Sequence, residues 1–240
     1  ESVATVDLNV DKNNQIVCYN KYIGILNEKN LKIYNSAGEN ITDISVNINT
    51  AIFSTNDRYL AIAEKNGQEL CVISDKTYLW TQKVDGEIQQ ICVNKFWYLI
   101  LVTTDTTYKS IITVYDTTGK QIMRNFLSTT RVIDVSISND NKYVAFAEMD
   151  TSGTLIKSSV KIISIEKAQE KSEEAIIYSK EAETSQMIIK VQYQEKDDLI
   201  CVYDDLVELI KDNKETQILK KDDQTTFISG KLNNSVAYIK

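Results

Sequence analysis

Five acidic residues are the first candidates for chemistry, because they recur along the chain at intervals of roughly 40 residues, a spacing typical of repeat proteins. They are Glu28, Glu64, Asp105, Glu148 and Asp204. Carboxylates that a fold brings to one point can bind calcium, act as an acid and base pair, or attract a cationic partner. Which of these applies depends on the elements that position them.

The absence of histidine removes most of the common enzyme mechanisms. The 240 residues include no histidine, which excludes Ser-His-Asp and Cys-His nucleophiles and His-ligated zinc. Arg58, Arg124 and Arg131 stand at unrelated positions of the repeat, and the chain has no glycine-rich phosphate loop. We therefore expect no catalytic residues and no cofactor. A glycosidase that uses two carboxylates is the alternative, although no pair is singled out.

The cysteines are widely spaced, and each lies within an apolar run. They are Cys18, Cys71, Cys92 and Cys201. No C-x-x-C motif and no histidine accompanies them, which argues against metal ligation. We predict small buried residues in all four positions, and no metal site.

The charge and the apolar stretches narrow the class of partner. The formal net charge is −7, whereas a nucleic-acid-binding protein concentrates Lys and Arg to displace counterions. We therefore expect no nucleic-acid partner. The longest apolar stretch, Phe96–Val102, is far shorter than the roughly 20 residues that span a bilayer as a helix. A membrane would then be reached only through an anchor upstream of Glu1.

A repeated phrase explains the spacing of the acidic residues. STNDRYLAIAE occupies residues 54–64, and SNDNKYVAFAE occupies residues 138–148. Weaker copies bring the number of equivalent positions to six, and we call these the index residues: Ile23, Leu60, Leu99, Val144, Leu199 and Val236. They are 37, 39, 45, 55 and 37 residues apart, a period that radially repeated sheets share.

Each repeat contains short apolar segments joined by Asn, Asp, Gly and Ser, a pattern that predicts a four-stranded antiparallel sheet. The strand that contains the index residue is apolar on both faces. Leu60 and Ile62 point one way, and Ala61 and Ala63 point the other. A strand with one wet face would alternate apolar and polar residues. We therefore predict sheets stacked so that both faces of this strand are covered.

The repeated phrase resembles the inner hairpin of WD40-like and TolB-like β-propellers, whose repeats often read S-P-D-G-K-x-L-A. ITVYDTTGK, residues 112–120, resembles their third strand and its exit turn. The resemblance extends over nearly the whole chain and implies an all-β fold, a β-propeller of about six four-stranded antiparallel blades. The features together also resemble bacterial membrane-anchored propellers of unknown function. A β-sandwich and a β-helix are the alternatives.

The repeats also place the boundaries. We predict a single propeller domain over residues 1–240, with blades at about 14–46, 47–84, 85–127, 128–184 and 185–223. A partial blade follows at 224–240, and an additional strand, Val3–Val10, precedes the first blade. Either that strand completes the sixth blade, or the chain is part of a larger propeller. Two insertions lengthen the fourth blade: an extended hairpin over Glu148–Ser159, and a polar connector over Glu166–Glu174 with the capacity to form a short helix.

In a propeller the acidic residues fall just beyond the index strands, at one face of the disc. Basic residues precede the index strands at the opposite face: Lys21, Arg58, Lys95, Lys142 and Lys196. We therefore predict one acidic and one basic face. Equivalent positions on stacked sheets lie roughly 10 Å apart, whereas calcium needs its oxygen ligands within about 2.6 Å. Attraction of a cationic partner needs only the summed field.

The resulting prediction is a non-catalytic binding or scaffolding module that recognises a protein or a component of the cell envelope through the acidic face. Its site residues are the five recurring acidic residues. The alternatives are a hydrolytic, carbohydrate-acting propeller and an extracytoplasmic domain that senses a small molecule in its channel. We expect the domain to lie outside a bacterial membrane, tethered by an upstream anchor, with the cytoplasm as the alternative location.

Overall fold

The computed structural model describes residues 14–27, 29–171 and 174–222, together with the backbone of residues 226–227 and 238–239. Five four-stranded antiparallel sheets follow one another along the described chain. The strands of each sheet are adjacent in their order along the chain, so each sheet is a continuous meander. The arrangement confirms the predicted all-β class.

Each sheet takes its four strands from one continuous segment of the chain. The first sheet contains β1 (Gln15–Tyr19), β2 (Tyr22–Asn27), β3 (Asn30–Tyr34) and β4 (Asn40–Ser45). The second contains β5 (Ala51–Asn56), β6 (Tyr59–Glu64), β7 (Glu69–Ser74) and β8 (Thr77–Lys83). The third contains β9 (Glu87–Val93), β10 (Leu99–Thr104), β11 (Ser110–Tyr115) and β12 (Gln121–Leu127). The fourth contains β13 (Thr130–Ile137), β14 (Tyr143–Asp150), β15 (Lys157–Ser164) and β16 (Ile176–Glu181). The fifth contains β17 (Ile188–Tyr193), β18 (Leu199–Tyr203), β19 (Leu206–Lys211) and β20 (Lys214–Lys220).

The sheets stack side by side, with the first strand of each at the inner edge. β1 contacts β5, β5 contacts β9, β9 contacts β13, and β13 contacts β17. The fourth strands, by contrast, carry many exposed residues and form the outer edge. This layout leaves every inner strand with one edge that has no strand partner within its own sheet.

Apolar clusters between consecutive sheets hold the stack together. Leu60 and Ile62 of β6 lie in the cluster shared with the first sheet. Ala61 and Ala63, on the other face of the same strand, lie in the cluster shared with the third sheet. All four side chains are fully buried, as the apolar pattern on both faces predicts. Burial of this kind is the main favourable term in folding.

Asn and Asp residues in the left-handed region close most of the turns between first and second strands. Asn20, Asp57 and Asn141, between first and second strands, all have positive φ. Short polar side chains tolerate this conformation because they form local hydrogen bonds. The tight hairpins therefore form although the chain has no proline and only seven glycines.

The cysteines are only partly as predicted. Cys71 and Cys201 are buried, and burial raises the pKa of the Cys71 thiol to about 12. Cys92 is half-buried, and Cys18 is exposed. Exposed and buried residues alternate along the centre of β1, and Cys18 falls on the exposed face of that strand, which the apolar run in the sequence did not reveal.

Five complete sheets are observed where the sequence predicted about six blades. Within the described residues, the sixth repeat is represented by the short pair β21 (Thr226–Phe227) and β22 (Tyr238–Ile239). The strand predicted at Val3–Val10 lies outside the described residues, as does most of 224–240. A six-bladed ring is therefore not confirmed.

The fourth sheet contains the hairpin and the helix that lengthen it. β14 and β15 remain paired out to Asp150 and Lys157. A short helix, α1 (Ile165–Glu170), follows β15, and the Ser164 hydroxyl caps it by accepting a hydrogen bond from the N–H of Lys167 at 3.3 Å. Within the described ranges there is no helix with the length and apolarity that crossing a membrane requires.

Candidate functional site

The two ends of the stacked sheets form two loop faces. The connection face carries the turns between second and third strands and the links from one sheet to the next. The hairpin face carries the turns between first and second strands and between third and fourth strands. The acidic residues predicted as a site belong to the connection face. Glu28, the first of them, lies outside the described residues.

Glu148 is buried in the fourth sheet rather than displayed on the connection face. Its side chain is 4% exposed, and Oε1 lies 2.5 Å from Nζ of Lys161. Oε2 accepts a hydrogen bond from the Thr130 hydroxyl at 2.7 Å, and Oε1 accepts one from the Ser159 hydroxyl at 3.0 Å. A buried carboxylate needs such partners. The charge of Glu148 is therefore neutralised within the sheet.

Asp105 and Asp204 are exposed, but both bind backbone groups of the connection face. Asp105 does so within its own turn, and Asp204 binds the link that precedes β17. Oδ1 of Asp105 accepts hydrogen bonds from the N–H groups of Thr107 and Tyr108, both at 2.7 Å. Oδ1 of Asp204 accepts one from the N–H of Met187 at 3.0 Å. Side-chain bonds of this type fix the conformation of a turn. The positions of both carboxylates are therefore explained by the backbone groups that they bind.

Glu64 opens onto a polar groove of the connection face. Its Oε1 accepts a hydrogen bond from Nδ2 of Asn49 at 3.0 Å. The groove has a volume of about 510 Å³, and Lys29, Glu69 and Glu87 contribute to its walls. Since these walls carry charges of both signs, the groove suits a polar group rather than an apolar one.

The predicted acidic residues do not converge on one point. Glu64, Asp105 and Asp204 lie on three different sheets, and Glu148 is enclosed in a fourth. Among the side chains that the structure describes, no group of three or more acidic or cysteine residues could hold a metal ion. Any joint action of these carboxylates on a partner is through their summed field.

Two of the basic residues of the hairpin face bind neighbouring side chains. Nζ of Lys142 lies 3.3 Å from the carboxylate of Asp140. Arg58 donates a hydrogen bond from Nε to the Tyr59 hydroxyl at 2.6 Å. The Arg58 guanidinium also lies 5.4 Å from the ring centroid of Trp97, on the next sheet. The hairpin face is thus not uniformly basic, and Arg58 helps to join two sheets.

The hairpin between β14 and β15 exposes two adjacent aliphatic side chains, which the sequence pattern did not indicate. Leu155 is 64% exposed, and Ile156 is 55% exposed. Asp150 fixes the start of the turn, since its Oδ1 accepts a hydrogen bond from the N–H of Ser152 at 2.8 Å. Hydrogen bonds from Ser152, and to a smaller extent the charge of Lys109, hold the pKa of Asp150 below its usual value. The hairpin is therefore apolar at its tip and fixed at its base.

An aromatic pair lies on the third sheet beside this hairpin. The rings of Tyr108 and Phe126 have centroids 4.8 Å apart, and Phe126 is 47% exposed. The guanidinium of Arg124 lies 5.2 Å from the Phe126 centroid. Lys109, which follows Tyr108, acts electrostatically on Asp150. The aromatic pair and the hairpin therefore occupy neighbouring parts of the connection face.

Polar side chains of one sheet also hydrogen-bond the inner strand of the next sheet. The hydroxyl of Ser54 accepts from the N–H of Val93 at 3.0 Å, and the hydroxyl of Ser136 accepts from the N–H of Tyr193 at 2.9 Å. These serines hold equivalent positions in β5 and β13. The free edge of an inner strand carries N–H groups that need partners once they are buried. The two serines supply those partners, and a serine within an apolar strand is the signal by which they could have been found.

A cavity lies between the inner strands, and we call it the axial cavity. Its volume is about 250 Å³, and its walls come mainly from β5, β9, β13 and β17. Gln90, Asp134 and Lys190 line it from equivalent positions, since each pairs with the residue three beyond an index residue. A register shift adjoins each of the three, and such bulges redirect side chains.

Asp134 is the carboxylate of this cavity. Burial raises its pKa to about 6, while the hydrogen bond from the Val191 N–H and the charge of Lys190 oppose that shift. The ionised form is therefore held in a place that is costly for a charge. Strongly shifted groups in a cavity are candidates for a functional site.

Comparison with known proteins assigns the chain to a family. The sequence model of a family of unknown function, DUF5711, matches residues 1–239. The chain belongs to this family. No curated protein matches the chain in sequence.

Solved β-propeller structures share the fold. Hydrazine synthase of Kuenenia stuttgartiensis is 14% identical, with a TM-score of 0.59 over 85% of this chain and 64% of that one. The Pan2 WD40 domain of Neurospora crassa is 10% identical, with a TM-score of 0.57 over 90% and 68%. Hsv2p of Kluyveromyces lactis is 13% identical, with a TM-score of 0.59 over 89% and 74%. The chain thus spans slightly less than two thirds of the hydrazine synthase chain. The similarity confirms the propeller fold that the repeated phrase implied.

Proposed function

We propose that the chain is a non-catalytic binding module that recognises a protein, or a protein component of the cell envelope, through its connection face. The observation that carries this proposal is the pair of exposed aliphatic side chains, Leu155 and Ile156, on the β14–β15 hairpin. Scattered exposed apolar residues are ordinary, but adjacent ones on a projecting and fixed loop favour an interaction site.

The energetics of the hairpin support this role. Burial of one Leu or Ile side chain against a partner contributes roughly 1.5–3 kcal/mol. The hydrogen bond between Asp150 and Ser152 holds the turn before a partner arrives, so less conformational entropy is lost on binding. The neighbouring Phe126 adds an aromatic side chain, a type enriched in the centres of protein interfaces.

The charge of the chain supports a partner with a basic surface. The formal net charge is −7, and Glu64, Asp105 and Asp204 contribute to the field of the connection face. Such a field accelerates the encounter with a cationic partner more than it strengthens the final complex. Glu148 is not part of this contribution, because Lys161 neutralises it.

The hydrolytic alternative requires two convergent carboxylates in a cavity. Asp134 is the one acidic residue among the described residues that line the axial cavity. This argues against a glycosidase whose active site lies in the axial cavity.

A photo-crosslinking amino acid at position 155 tests the proposal in cells that make the protein. A matched control places the same amino acid at Ile218, which is 50% exposed on the outer strand β20. We expect a crosslinked protein from position 155 that position 218 does not yield. The affinity of the purified chain for that protein is then measured by calorimetry.

The double variant Leu155→Ser/Ile156→Ser supplies the decisive comparison. We expect at least tenfold weaker binding, which corresponds to about 1.4 kcal/mol, with unchanged thermal stability because both side chains are exposed. Equal affinity of the variant and the unchanged protein would show that the hairpin is not the binding surface.

A further inference from the structure

The axial cavity is separate from the loop that carries the proposed function. Its volume of about 250 Å³ lies below the roughly 300–1,000 Å³ of pockets that bind drug-sized molecules. The walls come mainly from β-strands, which hold side chains more precisely than loops do. The cavity is therefore suited to a small and well-defined ligand.

Opposite charges stand at equivalent positions on two consecutive walls of this cavity. Asp134 lies on β13 and Lys190 on β17, and both side chains are half-buried. Lys190 is close enough to lower the pKa of Asp134, yet it forms no ion pair with any residue that the structure describes. The two charges thus face the cavity without neutralising each other by direct contact.

One amide side chain beside these charges also lacks a protein partner. Gln192 lies two residues beyond Lys190 on the same face of β17. It lines the cavity, and its side chain makes no hydrogen bond within the described part of the chain. Gln90 differs, since its Nε2 donates to the carbonyl oxygen of Ile133 at 2.8 Å. Gln192 is therefore available to a ligand, while Gln90 supports the wall.

The valines next to the charged residues belong to the core rather than to a ligand surface. Val135 and Val191 lie in the apolar clusters between consecutive sheets, since neighbouring residues of a strand point to opposite faces. The charges of Asp134 and Lys190 therefore determine which ligand fits. An anion alone would meet Asp134 and a cation alone would meet Lys190, and either arrangement leaves a desolvated charge unpaired.

We propose that the axial cavity binds a small zwitterion, with a free α-amino acid as the simplest member of that class. The ammonium group of the ligand lies against Asp134, and its carboxylate lies against Lys190. Gln192, on the same face of β17 as Lys190, supplies a hydrogen bond to the carboxylate.

Calorimetric titration of the chain with each of the standard amino acids tests the proposal. The best ligand is then compared with its N-acetyl derivative, which lacks the ammonium, and with its carboxamide, which lacks the carboxylate. We expect measurable binding of at least one free amino acid and at least tenfold weaker binding of both derivatives. Absence of heat for every free amino acid at millimolar concentration would overturn the proposal.

Two variants assign the ligand to the cavity. Lys190→Met removes one charge and Asp134→Asn removes the other, while Asn keeps an oxygen that can accept the bond from Val191. We expect each to weaken binding of the amino acid at least tenfold. Lys190→Met should also abolish the difference between the acid and its carboxamide.

The control variant is Lys76→Met, which removes a lysine from an exposed turn outside the cavity. Circular dichroism confirms that each variant is folded. If the cavity variants bind as Lys76→Met does, the ligand lies elsewhere and the assignment fails. If the derivatives bind as tightly as the free acid, the zwitterionic chemistry is wrong.

Discussion

The carboxylate of Asp134 on β13 accepts a hydrogen bond from the backbone N–H of Val191 on β17, at a distance of 2.9 Å. The bond joins the inner strands of two sheets that share no strand pairing. On β9 the equivalent residue is Gln90, which reaches the next inner strand as well. The neutral amide of Gln90 thus links β9 to β13, and the half-buried carboxylate of Asp134 makes the equivalent link from β13 to β17.

Asp134→Asn is expected to remove a pH dependence of stability. The pKa of Asp134 is about 6 in the folded chain and 3.8 as its ordinary value, so the folded state binds this proton more tightly. The stability that the protonated Asp134 carboxyl group contributes is fully present below pH 4 and is lost as pH rises through 6. At pH 7 we expect the variant to be more stable by on the order of 1–3 kcal/mol.

Urea unfolding at pH 4 and pH 7 measures this effect. The gain at pH 7 should disappear at pH 4, where the carboxyl group of the unchanged protein is largely neutral in the folded state. A gain of the same size at both pH values would mean that the substitution acts through packing, and a loss at pH 7 would mean that the ionised carboxylate is required for the bond to Val191.

Ser136→Ala is expected to destabilise the contact between the fourth and fifth sheets. Its hydroxyl accepts the hydrogen bond of the Tyr193 N–H at 2.9 Å, and Ser136 is 7% exposed. An unpaired buried N–H costs about 1–3 kcal/mol, so we expect a loss of that size in the free energy of unfolding. Ser179→Ala, at an exposed position of β16, is the matched control and should change stability little. Equal effects of the two variants would contradict the role of Ser136.

Glu148→Gln is expected to destabilise the fourth sheet without affecting partner binding. The change leaves Lys161, whose side chain is 25% exposed, without its counterion. Because the lysine reaches water, we expect a loss of about 1–3 kcal/mol in the free energy of unfolding rather than the larger cost of a fully buried pair.

The double variant Glu148→Gln/Lys161→Met should recover part of that loss, since no charge is left unpaired. Glu181→Gln serves as the control, because its ion pair with Lys157 is exposed at both ends and should contribute little. If Glu148→Gln weakened binding of the partner without changing stability, Glu148 would belong to the binding surface of the connection face. That result would contradict its structural role.

The fold was largely predictable because the repeat encodes it. Leu60 and Ala61 are both apolar although they point to opposite faces, and this can only hold in a strand covered on both sides. The spacing of the index residues then indicated one sheet per repeat. The number of blades was not predictable, since a repeat shows that sheets stack but not how many complete the ring.

The site was less predictable because a sequence shows which side chains are charged but not which of them are exposed. Glu148 and Glu64 hold matching places in the repeated phrase, yet one is neutralised inside a sheet and the other faces a groove. The difference arises from Lys161 on the neighbouring strand β15, which pairs with β14. The grouping of Asp134 with Lys190 depends on register shifts in β13 and β17, and a bulge leaves no clear mark in a sequence.

The links between inner strands run in one direction along the chain. In each, the side chain belongs to the earlier sheet and the backbone group to the later one: Gln15 with Ala51, Ser54 with Val93, Gln90 with Ile133, and Ser136 with Tyr193. The ribosome delivers the earlier sheet first. When an inner strand is synthesised, the side chains that bind its backbone are therefore already in place on the preceding sheet. The order of translation is also the order in which the sheets can assemble.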